Sequence, residues 1–135
     1  MAGGRTLHCT VVTPEGTGLD VDARSVVAPA YDGLVGFLPG HASILMELAP
    51  GVVRYTDANN RRAFLFVDGG FAHLVNDDLT IMTEETKTRE EAEAGYPAQE
   101  LLEARAMPAK TTEEVEARDH AMARARELVR LTEMH

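Results

Sequence analysis

Turn-forming residues recur so often through roughly the first eighty positions that no helix of ordinary length fits between them. Pro14-Glu15-Gly16, Pro29, the glycines 33, 36 and 40, Pro50-Gly51, Asp57-Ala58-Asn59-Asn60, Gly69-Gly70 and Asn76-Asp77-Asp78 punctuate the chain. Between them lie Leu7 to Thr13, Ser25 to Ala28, Ile44 to Leu48, Ala63 to Val67, Phe71 to Val75 and Leu79 to Met82, all rich in β-branched or other apolar residues. Leu19 and Val21 alternate with Asp20 and Asp22. About eight to ten short strands result, in the pattern of a sandwich or barrel rather than βαβ units. Pro29 is expected to stop a strand, Pro50-Gly51 to form a turn, and Gly69-Gly70 to allow a sharp bend or a close backbone contact.

At Glu84 the composition changes, which divides the chain into a strand-rich body, 1–84, and a charged, alanine-rich helical tail, 85–135. Glu84 to Gly95 reads as a tether or as an irregular extension of a first helix. That helix is expected from Pro97, which suits a first helical position, to about Met107, before Pro108. Ala98, Leu101, Leu102 and Arg105 lie along one side of it at helical spacing. Thr111 followed by Glu114 has the spacing of a capping box, so a second helix should run from there to about Leu131. Its apolar stripe is Val115, Ala121, Met122, Ala125, Leu128 and Val129, with Arg118 inside it and Arg124, Arg126 and Arg130 at its borders. Alanines bury little area at ~25 cal/mol per Å², so docking of this tail on the body is expected to be close to marginal.

A formal charge of −9 repels phosphate and anionic lipid, which argues against nucleic acid or a bilayer surface as the main partner. The single cysteine, Cys9, has no partner for an internal disulfide, and no apolar run approaches the ~20 residues of a membrane span. Met1 to Arg5 lacks the apolar stretch of a signal peptide, so a soluble protein of a reducing compartment is expected.

Gly33, Gly36 and Gly40 give no nucleotide-binding fingerprint. His8, His41, His73, His120 and His135 are isolated in the sequence, without metal-ligand spacing. His8 and Cys9 are neighbours on a strand and point to opposite faces, so they make no base and nucleophile pair. Binding is therefore expected rather than chemistry, with no catalytic residue, metal or cofactor.

Several segments, in order, resemble one family: VVTPEG at Val11 to Gly16, SVVAP at Ser25 to Pro29, DGLVGFLPGHASIL at Asp32 to Leu45, APGVVR at Ala49 to Arg54 and VDGGFAHLVNDDLTIMTE at Val67 to Glu84. LEARAMPAK at Leu102 to Lys110 and the run Ala123 to Thr132 extend the likeness into the tail. Together they resemble the epsilon subunits of bacterial F-type ATP synthases, equivalent to the mitochondrial delta subunit. The resemblance implies a flattened ten-stranded β-sandwich followed by an antiparallel αα-hairpin. It implies a non-catalytic part of the rotating central stalk that joins the gamma subunit to the ring of c subunits during proton-driven ATP synthesis. It also implies a hairpin that moves from a compact position to an extended one against gamma and the alpha/beta hexamer, restraining ATP hydrolysis. The implied location is peripheral, at the cytoplasmic face of a bacterial inner membrane. The competing reading is a free-standing β-sandwich interaction module.

Carried onto these residues, the resemblance implies contact with gamma or the c-ring at Phe37, Leu38, Pro39, Gly40 and His41, while Phe37 reads equally as a core residue and His41 also as a turn histidine bonded to backbone. Arg118, Arg124, Arg126 and Arg130 would meet an acidic region of the beta subunit. Some members bind ATP at the folded hairpin, and Arg105 and Ala106 fit that motif. Leu102 stands where the motif has an acid, which leaves Arg105 a weak cofactor-binding candidate.

Overall fold

The computed structural model describes residues 5–134; positions 1–4, the first domain's start among them, and His135 lie outside the described residues. Among the described residues there are seven strands: β1 (Leu7–Thr13), β2 (Gly16–Ala30), β3 (Gly33–Phe37), β4 (Ile44–Asp57), β5 (Arg62–Val75), β6 (Asp78–Met82) and, just past the expected division at 84, β7 (Thr86–Lys87). The sheet order is β1-β6-β5-β4-β2-β3, and β1 also pairs with β2, so β1, β6, β5, β4 and β2 close on themselves. Closure leaves only β3 and the short β7 as edge strands among these elements.

Three strands are longer than the turn spacing suggests. β2, β4 and β5 run for 15, 14 and 14 residues and bend, so each serves both layers of the body. Counting each bent strand as two gives the ten strands of the sandwich. Pro50-Gly51 is one of these bends, not a turn, since β4 stays paired with β5 from Ile44 to Thr56. Likewise Pro29 does not end β2. The pairing of β2 with β4 shifts between Val27 and Ala30, and this bulge accommodates a residue that has no N–H to donate. Pro29 leans on the bend in β4, where a Cβ on Gly51 would lie 2.6 Å from the proline Cβ. The β5–β6 connection is a two-residue hairpin turn whose Asn76 and Asp77 both have positive φ, 50° and 63°.

Inward positions of both layers build one core that includes Leu7, Val11, Val26, Phe37, Val53, Val67, Leu74 and Ile81. A second, smaller cluster lies outside the sheet, where Val52 and Phe66, paired across β4 and β5, meet Ala92, Leu128 and Leu131 of the tail. The tail contains α1 (Arg89–Ala94), α2 (Pro97–Arg105) and α3 (Thr112–Thr132). The predicted capping box of Thr111 and Glu114 is present at the start of α3. The tether reading of Glu84 to Gly95 gives way to β7 and α1. Thr88 accepts from the Glu91 amide and Glu91 bonds back to the Thr88 amide, an unrecognised second capping box that nucleates α1. In α2 the side turned inward is Ala104, whereas Leu102, expected on the apolar side, is exposed.

Candidate functional site

Two surfaces on the body and one between body and tail carry the chemistry this fold offers. The first is the loop from Phe37 to His41 at one end of the body. Phe37 is fully buried and anchors the loop, with its ring edge-on to His41 at a centroid distance of 6.3 Å. Leu38 stands exposed, and the His41 amide closes the turn on the Leu38 carbonyl at 3.2 Å. Gly40 has φ +83°, a left-handed conformation that favours glycine, and its amide donates to Asp77 Oδ1 at 2.7 Å. Arg5 Nη2 donates to the other oxygen of Asp77 at 2.8 Å. The Gly40 amide and then Arg5 hold the Asp77 carboxyl below its ordinary value, so the loop stays pinned wherever Asp77 is ionised. Of the five residues expected at this surface, Phe37 thus shapes it from beneath, while Leu38, Gly40 and His41 are exposed.

The second surface was not read from the sequence. Cross-strand pairing sets Val12 opposite Met82, Met82 opposite Phe71 and Phe71 opposite Glu47, with Leu45 one row along on the same face. Phe71, Met82 and Leu45 are 48%, 42% and 64% exposed. Three large apolar side chains thus face outward side by side on adjacent strands, the kind of grouped apolar surface that often marks an interaction site. Period-two counting in Phe71-Ala72-His73-Leu74 could have found it, since Ala72 and Leu74 face inward and leave Phe71 outside.

Beside these lies a polar clamp. His8 on β1 points Nε2 at Asp20 and Nδ1 at Asp22, at 2.7 and 2.8 Å. Carboxylates only accept, so both contacts are satisfied only by the imidazolium form. The hydrogen bond to Asp22, then the charges of Asp20, Asp22 and Asp78, raise the His8 pKa from its ordinary 6.5. A raised folded-state value adds stability that is complete below pH 6.5 and is lost as pH rises through the raised value. Urea midpoints of wild type and His8→Gln should therefore differ more at pH 6 than at pH 9, by a small margin because the group is exposed. An equal difference at both pH values would refute the clamp. Cys9, next along β1, is buried, and burial pushes its thiol up to about 12, so it is chemically quiet.

The third surface joins tail and body, and it separates the four arginines expected to meet an acidic partner. Arg126 is exposed, and Arg130 lies 3.2 Å from Glu127 on its own helix. Arg118 is half-buried, 3.7 Å from Asp119. Arg124 is instead engaged within the chain, paired with Glu85 and Glu100 and stacked over Phe66. Arg105 is exposed in the last turn of α2. Among the described residues no group of His, Cys, Asp or Glu is placed to hold a metal, and no helix is long and apolar enough to cross a membrane.

Residues 6–89 match the family described as ATP synthase, Delta/Epsilon chain, beta-sandwich domain. The ATP synthase epsilon chain of Rhodopirellula baltica is 35% identical over 121 residues, covering 90% of this chain and 94% of that one. That of a Synechococcus strain is 32% identical over 132 residues, covering 96% and 95%. In fold the chain is similar to one in the Euglena gracilis mitochondrial ATP synthase assembly of OSCP, F1 and c-ring. There the TM-score is 0.83 at 22% identity, over 94% of this chain and 81% of that one. It is also similar to a chain in the central stalk and c-ring of the Tetrahymena thermophila mitochondrial enzyme, with TM-score 0.73 at 16% identity, over 93% and 95%.

Proposed function

Since the chain belongs to the delta/epsilon family of ATP synthase subunits, non-catalytic components of the central stalk, we propose that it couples gamma to the c-ring through its body and restrains ATP hydrolysis through its tail. The observation that carries this reading is the division of the body's outside. One layer is covered by the tail at Val52 and Phe66, and the other leaves Leu45, Phe71 and Met82 open to a partner. The open apolar face suits the gamma subunit, and the pinned loop with Leu38 and His41 at the body's end suits the junction of gamma with the c-ring. The subunit then sits peripherally, at the cytoplasmic face of the inner membrane, held by the assembly and not by lipid.

Capture on immobilised gamma subunit tests the first half. Wild type should be retained, and Phe71→Glu should weaken retention by about thirtyfold, the cost of a charge in the centre of an apolar contact, about 2 kcal/mol. Retention of the variant at wild-type strength would remove this face from the interface. Removal of residues 108–135 tests the second half: ATP hydrolysis by the assembled enzyme should rise severalfold while synthesis persists. Equal hydrolysis with and without the tail, across nucleotide concentrations, would end that part of the reading.

A further inference from the structure

Arg124, near the middle of α3, reaches back 39 positions to the connector between body and tail. Its Nη1 donates to Glu85 Oε1, and Nη2 lies 3.6 Å from Glu100 Oε1 in α2. The guanidinium carbon stands 5.5 Å from the centroid of the Phe66 ring in β5. One side chain thus touches the sheet, the connector and both long helices. The Arg124 side chain is 20% exposed while Glu100 and Glu85 are 36% and 39% exposed, so water screens the pairs from the acid side and leaves the guanidinium partly shielded. Lys87 Nζ, 3.8 Å from the other oxygen of Glu85, belongs to the same group. One turn earlier His120 Nε2 comes within 3.3 Å of Asp68 Oδ1 on β5, a buried oxygen that no described group hydrogen-bonds.

These charges matter because little else holds α3. The apolar cluster beneath it takes Leu128, Leu131 and Met134 from the tail's last turns, and the rest of its inner side is largely alanine. Without Arg124, Glu100 would lose its cationic partner and Glu85 would keep only Lys87, 3.8 Å away. A guanidinium held between them is also unavailable to anything else, whereas Arg126 stands exposed two positions on.

We propose that Arg124 is an exchange latch: it closes the compact tail by holding Glu85 and Glu100 over Phe66, and an acidic partner surface opens the tail by taking Arg124 from them. The proposal rests on the reading of the tail as a moving regulator and supplies its release step. The compact state of this chain then needs no bound ligand. An acidic partner gains differential affinity for the open state, which is the condition for shifting the equilibrium at all. Exposed Arg126 offers the first contact, and Arg124 follows once α3 lifts.

The test uses the full-length chain alone, with spin labels on cysteines introduced by Asn59→Cys and Glu113→Cys, both at exposed positions, while Cys9 stays buried. Pulsed dipolar distances report the fraction of docked tail. Wild type should be mainly compact in low salt. R124Q should raise the open-to-compact ratio about tenfold, the effect of breaking a partly buried pair. Salt at 1 M should open wild type and leave R124Q unchanged, and a ten-residue oligoglutamate peptide should open wild type more than R124Q. Should R124Q fail to fold, the double variant E85Q/E100Q, which leaves α3 intact, is expected to give the same shift. A compact distance distribution in both variants, with wild-type salt response, overturns the latch. No hexamer is present in this experiment, so its outcome is independent of whether the tail restrains hydrolysis.

Discussion

Replacing Gly70 with alanine should abolish folding of the body at 37 °C. A Cβ at this position would lie 1.8 Å from the Met82 carbonyl oxygen and 2.9 Å from its carbon, both backbone atoms of the neighbouring strand. The φ of +108° adds strain for any residue with a side chain. β5 turns here from one layer to the other, directly after Asp68, whose amide bonds across to Thr83 and Glu85. Relief would require β6 to move away from β5, which unpicks Phe71–Met82 and the rows beyond it. Loss of more than about 4 kcal/mol is expected, a large share of the stability of a domain this size. Gly36→Ala is the control, because a Cβ there meets nothing within 4 Å. Circular dichroism melts compare the two, and a Gly70→Ala protein that melts within a few degrees of wild type would show that the bend relaxes cheaply.

How far the sequence discloses this molecule follows from which forces are local. Turn chemistry is local, so Asn76-Asp77, Gly69-Gly70 and the capping box at Thr111 are legible one by one. Continuity across a bend is not. Pro29 and Pro50-Gly51 look like ends, yet strands pass through both because pairing with a distant neighbour outweighs the local break. The capping box at Thr88 was legible in principle, but it nucleates a helix of only six residues, too short to show a period. At the candidate sites, motif resemblance located the Phe37 to His41 loop but gave no means to tell that Phe37 points inward. It also placed four arginines on one helix without revealing that Arg124 folds back onto Glu85, a contact fixed only by tertiary packing. The open face of Leu45, Phe71 and Met82 depends on which strands are neighbours, information that a single strand's alternation does not contain.

Adjacent residues on β5 should separate the stability of the body from the docking of the tail. Leu65 faces the inner core, while Phe66, one step along and on the opposite side of the sheet, faces Ala92, Leu128 and Leu131. Each loses about 3 to 5 kcal/mol of packing when cut to alanine. For Leu65→Ala that loss falls on the whole body, and melting should shift down by many degrees in one transition. For Phe66→Ala the expected course differs, because the tail can leave before the body melts. Docking of an alanine-rich helix is worth only a few kcal/mol, so once that is exhausted the body feels no further loss. The variant should keep most of the body's melting temperature, lose protection of α3 against limited proteolysis, and show helix signal fading ahead of the sheet. Phe66 also supplies the ring under Arg124, so its loss weakens the charged pairs together with the apolar cluster. A single, coincident transition for Phe66→Ala, shifted as far as that of Leu65→Ala, would mean that tail and body form one cooperative unit, and a tail bound that firmly would be a poor candidate for a switch.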